Sequence, residues 1–110
     1  MRVAASILSV LLPIVLGGCK AVPEVSGTCS DMCEDATRLY GACLESWGLD
    51  WTAAGHEDGA SHQESCEVWS WEQSLIFGAS KVDALCDQRG ALLHDGACTD
   101  YTDIDWSEGL

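Results

Sequence analysis

Residues 28–48 read TCSDMCEDATRLYGACLESWG, and the spacing of their side chains decides the fold. Apolar and cysteine side chains recur at steps of four or three residues, which places them on one stripe of an α-helix. Thr28 is suited to cap the start of this helix, and Gly48 is suited to follow its end. The predicted buried stripe consists of Cys29, Cys33, Ala36, Tyr40, Cys43 and Trp47.

Two further helices are predicted after a loop over residues 49–60, which shows no sustained periodicity. A capping box at Ser61 indicates the start of the second helix, which should run to Phe77 because a glycine follows. A similar signature at Ser80 indicates a third helix. The middle of the chain therefore continues the helical pattern of its first element.

The end of the third helix is ambiguous, because Gly90 weakens its far half. Asp95-Gly96 could instead form the tight turn of a short hairpin over residues 91–101, and both interpretations stay open. The predicted fold is a small all-α domain of two or three helices held by disulfides.

The first eighteen residues have the layout of a signal peptide, with a basic Met1-Arg2 start and an apolar run over residues 3–16. This run is too short for a permanent membrane-spanning helix. It ends in Leu16-Gly17-Gly18-Cys19, which resembles the lipobox of bacterial lipoproteins. The resemblance is confined to residues 1–19 and implies cleavage before Cys19 and thioether lipidation of its sulfur.

Lipidation would anchor the chain through two or three acyl chains such as palmitate, which is enough for lasting attachment to a membrane. Residues 19–27 would then be the lipidated cysteine and a tether, followed by a single cysteine-rich helical domain over residues 28–110. Lys20 stands where inner-membrane members of the class often have Asp, so the resemblance favours the outer membrane in a host that has one. The expected location is the exported side of the cell envelope.

The chain of 110 residues is strongly acidic, with 18 Asp and Glu residues against five Lys and Arg residues. Its net charge is −13, and removal of residues 1–18 takes away Arg2 and leaves −14. Because no basic patch is available to neutralise phosphates, nucleic acid is not an expected partner. An anionic bilayer should repel the domain, so the lipid on Cys19 is the expected membrane contact.

Setting Cys19 aside leaves six cysteines, an even number that suits three disulfides in an exported domain. Within one helix, Cys33 and Cys43 lie about 15 Å apart, and Cys29 and Cys33 point the same way, so each of these three should pair with a later cysteine. Two antiparallel helices turning near residue 54 bring together residues whose numbers sum to about 109. Six arrangements join each cysteine of the first helix to a later one. The favoured single pair is Cys43–Cys66, whose numbers sum to 109, and a nested arrangement adds Cys33–Cys86 and Cys29–Cys98 as the predicted set.

Metal ligation is a weaker interpretation of several polar residues. Cys29 and Cys33 could form half of a metal site, and His56-Glu57-Asp58 lies in a glycine-flanked loop where ligands are common. For the cysteines, disulfides are the preferred interpretation, and for the His56 segment, a solvated loop. No metal and no cofactor is therefore expected. His62 and His94 lack evident partners in the sequence. The last acidic residues could gather around calcium, and these are Asp100, Asp103, Asp105 and Glu108. Their spacing departs from that of an EF-hand loop, so a frayed acidic tail is the preferred interpretation.

Five tryptophans in so short a chain raise the question of whether the core can bury every ring. Trp69 and Trp71 lie about 200° apart around a helix, so a single core cannot bury both rings. Either several elements surround the second helix, or one ring is left for a partner. Core packing is preferred, and the alternative is a binding face for a protein or glycan that includes Trp51, Trp71, Trp106 and His56.

No motif for nucleophilic catalysis or phosphate binding occurs in the sequence, so an enzyme is not expected. The expected function is that of a non-catalytic envelope lipoprotein that binds or supports another surface component. The alternative is a metal-handling protein that uses reduced cysteines or the loop around His56.

Overall fold

The computed structural model describes residues 25–106, and this part of the chain contains helices but no strand. The helices are α1 (Gly27–Ser46), α2 (Gly59–Phe77), α3 (Ala79–His94) and α4 (Cys98–Thr102). The prediction of a small all-α domain is confirmed. The signal peptide, Cys19 and Glu108 lie outside the described residues. Within residues 25–106, no helix combines the length and the apolar character that a membrane span requires.

The first two helices begin earlier than the sequence predicted, because other side chains cap them. Ser26 Oγ accepts a backbone N–H of the first turn of α1 at 3.1 Å, and Asp58 Oδ1 does the same for α2 at 2.8 Å. The predicted caps, Thr28 and Ser61, lie inside the first turns. The end of α2 at Phe77 agrees with the prediction.

The alternative hairpin over residues 91–101 does not form, because α3 continues through Gly90. A Cβ at Gly90 would lie 3.6 Å from Met32 Cβ, so this part of α3 packs directly on α1. Packing of this kind stabilises a helix where local propensity is poor. After the turn at Gly96, Asp100 Oδ2 accepts the Ala97 N–H at 2.7 Å at the start of α4.

The three long helices form an up-down-up bundle in which α1 runs antiparallel to α2 and parallel to α3. Partners on α2 come earlier in the chain as α1 proceeds, whereas partners on α3 come later. The side-chain pairs that show this are Ser30 with Glu67 and Thr37 with His62 for α2, and Cys29 with Cys86 and Asp35 with His94 for α3.

Three disulfides join α1 to the later helices, as expected, but the predicted partners are wrong. The observed bonds are Cys29–Cys86, Cys33–Cys66 and Cys43–Cys98. The predicted pairs Cys43–Cys66, Cys33–Cys86 and Cys29–Cys98 do not form. The expectation that none of the first three cysteines pairs with another of the three holds.

The error in the pairing comes from the loop between α1 and α2, which is not a symmetrical turn near residue 54. The loop folds back along α1, so that α2 begins beside the middle of α1. A Cβ at Gly59 would lie 3.5 Å from the Thr37 methyl group. The partner of Cys66 is therefore Cys33 instead of Cys43, ten residues earlier on α1.

The core of the described residues is small and rich in sulfur. Nine apolar residues are buried, and four of them are cysteines: Cys29, Met32, Cys33, Ala36, Cys43, Leu44, Val82, Cys86 and Leu93. Each disulfide is expected to contribute about 2 to 4 kcal/mol, mainly by restricting the unfolded chain. Val25 already packs against this core, so the tether predicted over residues 19–27 ends sooner than expected.

Candidate functional site

The loop between α1 and α2 is held against the bundle by Trp51. A Cβ at Gly41 would lie 3.0 Å from Trp51 Cζ2, and one at Gly59 would lie 3.5 Å from Trp51 Nε1. The two glycines therefore let the indole pack directly on both helices. This packing brings His56, whose ring centre lies 6.2 Å from that of Trp51, over the first half of α2.

Aromatic rings from four segments meet at this end of the bundle. Tyr40 of α1 stacks on Tyr101 of α4, with ring centres 4.3 Å apart and planes inclined by 10°. Trp51 meets Tyr40 edge to face at 5.6 Å, and His62 lies 5.4 Å from Tyr40. The Cys43–Cys98 disulfide lies beside this cluster in the chain and holds α4 against α1.

His62 is the buried polar residue of the cluster, with 6% of its surface exposed. Its Nδ1 lies 2.7 Å from Thr37 Oγ1, and its Nε2 lies 2.9 Å from the Tyr101 hydroxyl. Burial, together with the smaller effect of the nearby His56 ring, lowers the pKa of His62 to about 4. The imidazole is therefore neutral at pH 7, and one nitrogen donates while the other accepts.

Tyr101 completes this hydrogen-bonded unit from α4. Burial raises the pKa of its hydroxyl well above the ordinary value, and the neighbouring Tyr40 adds to the shift. The hydroxyl keeps its proton at neutral pH, so Thr37, His62 and Tyr101 form an uncharged chain of hydrogen bonds. Because both ring nitrogens of His62 are engaged within the protein, this geometry positions Tyr101 and the ring of His62.

A cavity of about 180 Å³ lies beside this unit. We call it the aromatic cavity, and its lining combines rings and small side chains from α1, the loop, α2 and the C-terminal segment. The lining residues are Ala36, His56, His62, Ser65, Cys66, Trp69, Tyr101 and Trp106. Among residues 25–106, no Asp, Glu, Lys or Arg side chain lines it, although the chain as a whole is strongly acidic.

Trp106 is held in the wall of the cavity by contacts with two helices. Its ring meets that of Trp69 edge to face at 5.7 Å, and the Arg89 guanidinium lies 5.2 Å from the Trp106 ring and 5.5 Å from the Trp69 ring. Such cation–π contacts are favourable. Burial lowers the pKa of Arg89, and the Asp105 carboxylate opposes that shift. The indole N–H of Trp106 is buried without an acceptor among the described residues.

The four residues predicted for a binding face do not lie together. His56 and Trp106 line the aromatic cavity, whereas Trp51 packs behind it against His56 and His62. Trp71 lies on another side of α2, next to the starts of α1 and α3. The two half-buried rings of Trp69 and Trp71 thus show that several elements surround α2.

Sequence reasoning missed His62 and Tyr101 as members of the site. One signal was available for His62, because it lies one helical turn before Cys66 and must share the face of α2 that meets α1. Tyr101 carried no comparable signal. Its contact with His62 joins residues 39 positions apart through the packing of α4.

Two of the carboxylates considered as metal ligands have other partners in the structure, and so does His94. Asp58 caps α2, Asp100 caps α4, and His94 lies 3.3 Å from Asp35, which also pairs with Arg38. All six described cysteines are in disulfides, so none offers a thiolate. Over residues 25–106, no three His, Cys, Asp or Glu side chains gather in a way that could hold a metal ion.

No protein-family model matches the chain, and no significant similarity to a characterised protein or to a solved structure was found. The features of the described residues that bear on function are the aromatic cavity, the uncharged Thr37–His62–Tyr101 unit beside it, and the disulfides that hold both in place.

Proposed function

We propose that this chain is a lipid-anchored protein of the cell envelope whose domain binds an uncharged apolar group of a partner in the aromatic cavity. The observation that carries the proposal is the lining of that cavity by Trp69, Tyr101, Trp106 and two histidine rings, with no Asp, Glu, Lys or Arg from the described part of the chain. In a chain with a net charge of −13, a surface hollow that residues 25–106 line without a carboxylate is suited to an uncharged ligand.

The volume of the cavity limits the size of the group that it can hold. At about 180 Å³, it is slightly larger than the apolar cavity of about 150 Å³ that accepts a benzene ring in another protein. One aromatic ring or one branched aliphatic group therefore fits. A sugar is a poorer fit, because its hydroxyls need several polar partners and Ser65 and His56 are the main ones exposed to the cavity. We favour a protein partner that presents a phenylalanine or leucine side chain.

The lipid anchor is the second part of the proposal. It derives from Leu16-Gly17-Gly18-Cys19, which lies outside the described residues. The pairing of the other six cysteines supports it, because they bond to one another and no described cysteine is left as a partner for Cys19. Intact-mass measurement of the mature protein tests it: we expect cleavage before Cys19 and the mass of two or three acyl chains. A mature chain without acyl mass would refute this part.

The cavity is tested with soluble probes on the mature protein in lipid nanodiscs. N-acetyl-phenylalaninamide and N-acetyl-leucinamide should shift the NMR resonances of the Trp69 and Trp106 indole N–H groups, with a Kd of about 0.1 to 1 mM. N-acetyl-glycinamide, which lacks the apolar group, is the matched negative probe. Stronger binding of N-acetylglucosamine than of the apolar probes would contradict the choice of a protein side chain.

A pair of variants locates the binding site. Ser65 is exposed at the cavity, so Ser65→Leu should fill part of it and weaken binding of N-acetyl-phenylalaninamide at least tenfold. Ala60→Leu adds an apolar side chain at an exposed position of the same helix that does not line the cavity, and should leave binding unchanged. Equal binding by the two variants would refute the aromatic cavity as the site.

A further inference from the structure

Three consecutive apolar side chains are exposed at the end of α2. Leu75 and Ile76 each keep 67% of their surface exposed, and Phe77 keeps 41%. We call these three residues the apolar tip. Successive helical residues point about 100° apart, so the tip presents apolar surface around most of the helix end. Gly78, with φ of +94°, then turns the chain into α3. Clustered exposure of apolar side chains is typical of surfaces that contact a membrane or another protein.

The apolar tip lies at the end of the bundle where the chain enters α1. A small cavity there is lined jointly by Val25 and Ser26, which precede α1, and by Ser74 and Ala79, which flank the tip. The aromatic cavity lies toward the other end of α2. His62 precedes Phe77 by 15 residues, which corresponds to about 22 Å along the helix axis.

The length of chain before α1 limits how far this end of the domain can be from an anchored Cys19. Only six residue steps separate Cys19 from Val25, which is at most about 22 Å of extended chain. Because Val25 packs against the core, no further length is available from that side. A lipid on Cys19 therefore keeps the apolar tip close to the bilayer surface, at a high effective concentration.

We propose that the apolar tip inserts into the interfacial region of the bilayer that holds Cys19, and so orients the domain with its aromatic cavity away from the membrane. This inference rests on the lipid anchor of the proposed function. The acyl chains on Cys19 attach the protein to the membrane, and the side chains of the apolar tip fix how the domain lies on it. Glu72, Lys81 and Asp83 are the charged residues nearest to it in the chain, so a zwitterionic bilayer suits the tip better than an anionic one.

The test uses the mature, acylated protein in phosphatidylcholine vesicles that contain lipids brominated on their acyl chains. Bromine quenches tryptophan emission only on contact, so added tryptophans report which end of the domain meets the bilayer. Phe77→Trp places one at the tip, and Leu49→Trp is the matched control at the opposite end, where Leu49 is 49% exposed. We expect the emission added at position 77 to be quenched at least threefold more than that added at position 49.

A second variant tests whether the membrane contact comes from the native apolar tip and not from the tryptophan introduced at position 77. The triple change Leu75→Ser, Ile76→Ser and Phe77→Ser touches none of the buried core residues, so the fold should persist. On vesicles, slow amide hydrogen exchange around Gly78 is expected in the parent protein and should become at least fivefold faster in the triple variant. Without vesicles, the two proteins should exchange alike at these amides.

The outcomes separate the tip from the anchor. Equal quenching at positions 77 and 49 in a protein whose mass shows acylation would overturn the tip and leave the anchor intact. A dimer that dissociates in the triple variant, together with equal quenching, would assign the surface to a second copy and also overturn the proposal. Absence of acyl mass would overturn the anchor, and with it the orientation that depends on Cys19.

Discussion

Protonation of His62 should weaken the fold as the pH falls from about 6.5 to 4. An unfolded histidine has a pKa of about 6.5, whereas burial and the His56 ring lower the pKa of folded His62 to about 4. Above pH 6.5 the imidazole is neutral in both the folded and the unfolded state, so its titration does not change the free energy of unfolding. Below pH 6.5 the unfolded chain binds a proton that the folded chain does not, so the free energy of unfolding decreases.

The size of this effect follows from the two pKa values. A difference between about 6.5 and about 4 corresponds to about 3.4 kcal/mol at 1.36 kcal/mol per pH unit. The ring borders the aromatic cavity, where solvent reduces the cost of the charge, so we expect a loss of about 2 kcal/mol. Protonation would also remove the acceptor nitrogen that His62 offers to Thr37 or Tyr101.

The measurement is urea unfolding of the mature protein in detergent micelles at pH 7, 6, 5 and 4.5, with disulfides intact. His62→Gln keeps hydrogen-bonding groups but does not titrate, so its stability should fall less than that of the parent protein. His94→Gln is the control, because it removes an exposed histidine that does not line the aromatic cavity. Parallel stability curves for the parent protein and His62→Gln would refute the assignment. Comparison of variants cancels the change in net charge that all three proteins share.

Three further predictions concern stability and the cavity. Replacing Cys43 and Cys98 with Ser should lower the free energy of unfolding by about 2 to 4 kcal/mol in urea unfolding, since the bond closes a loop of 55 residues, and should abolish probe binding. Gly96→Ala should lower the melting temperature by several degrees, because its Cβ would lie 2.6 Å from the Leu92 carbonyl oxygen; an unchanged melting temperature would contradict this contact. Trp106→Phe should change stability by less than about 1 kcal/mol, because it removes an N–H without an acceptor among residues 25–106, whereas Trp106→Ala should cost about 3 kcal/mol; similar losses would contradict this expectation.

The helices were predictable because their signal is local. In the predicted stripe of α1, the cysteines and Ala36 are buried, Tyr40 is half-buried, and Trp47 is exposed because it lies at the C-cap. Apolar residues that recur about every 3.6 positions identify the apolar side of a helix, whatever that side packs against. The helix starts were less predictable, since several side chains near each start could act as the cap. Ser26 and Asp58 do so in the structure.

The candidate site was predictable only in part. His56 and Trp106 were suspected from residue type, and the structure places both at the aromatic cavity. His62 and Tyr101 depend on contacts between elements that are far apart in the chain. Their hydrogen bond exists because α4 is held near the start of α2, where the Cys43–Cys98 bond and the stacking of Tyr40 on Tyr101 place it.

The amino-acid sequence by itself determined the all-α class. It also determined that each cysteine of α1 bonds to a cysteine outside α1, because the rise of a helix separates side chains by fixed distances. Tertiary structure alone decided which cysteine each one meets. That choice depends on the register between helices. For α1 and α2, Trp51 packs on Gly41 and Gly59 and holds the loop back along α1, so that Cys66 meets Cys33. Local periodicity does not encode such a register, because it is unchanged when one helix slides along another.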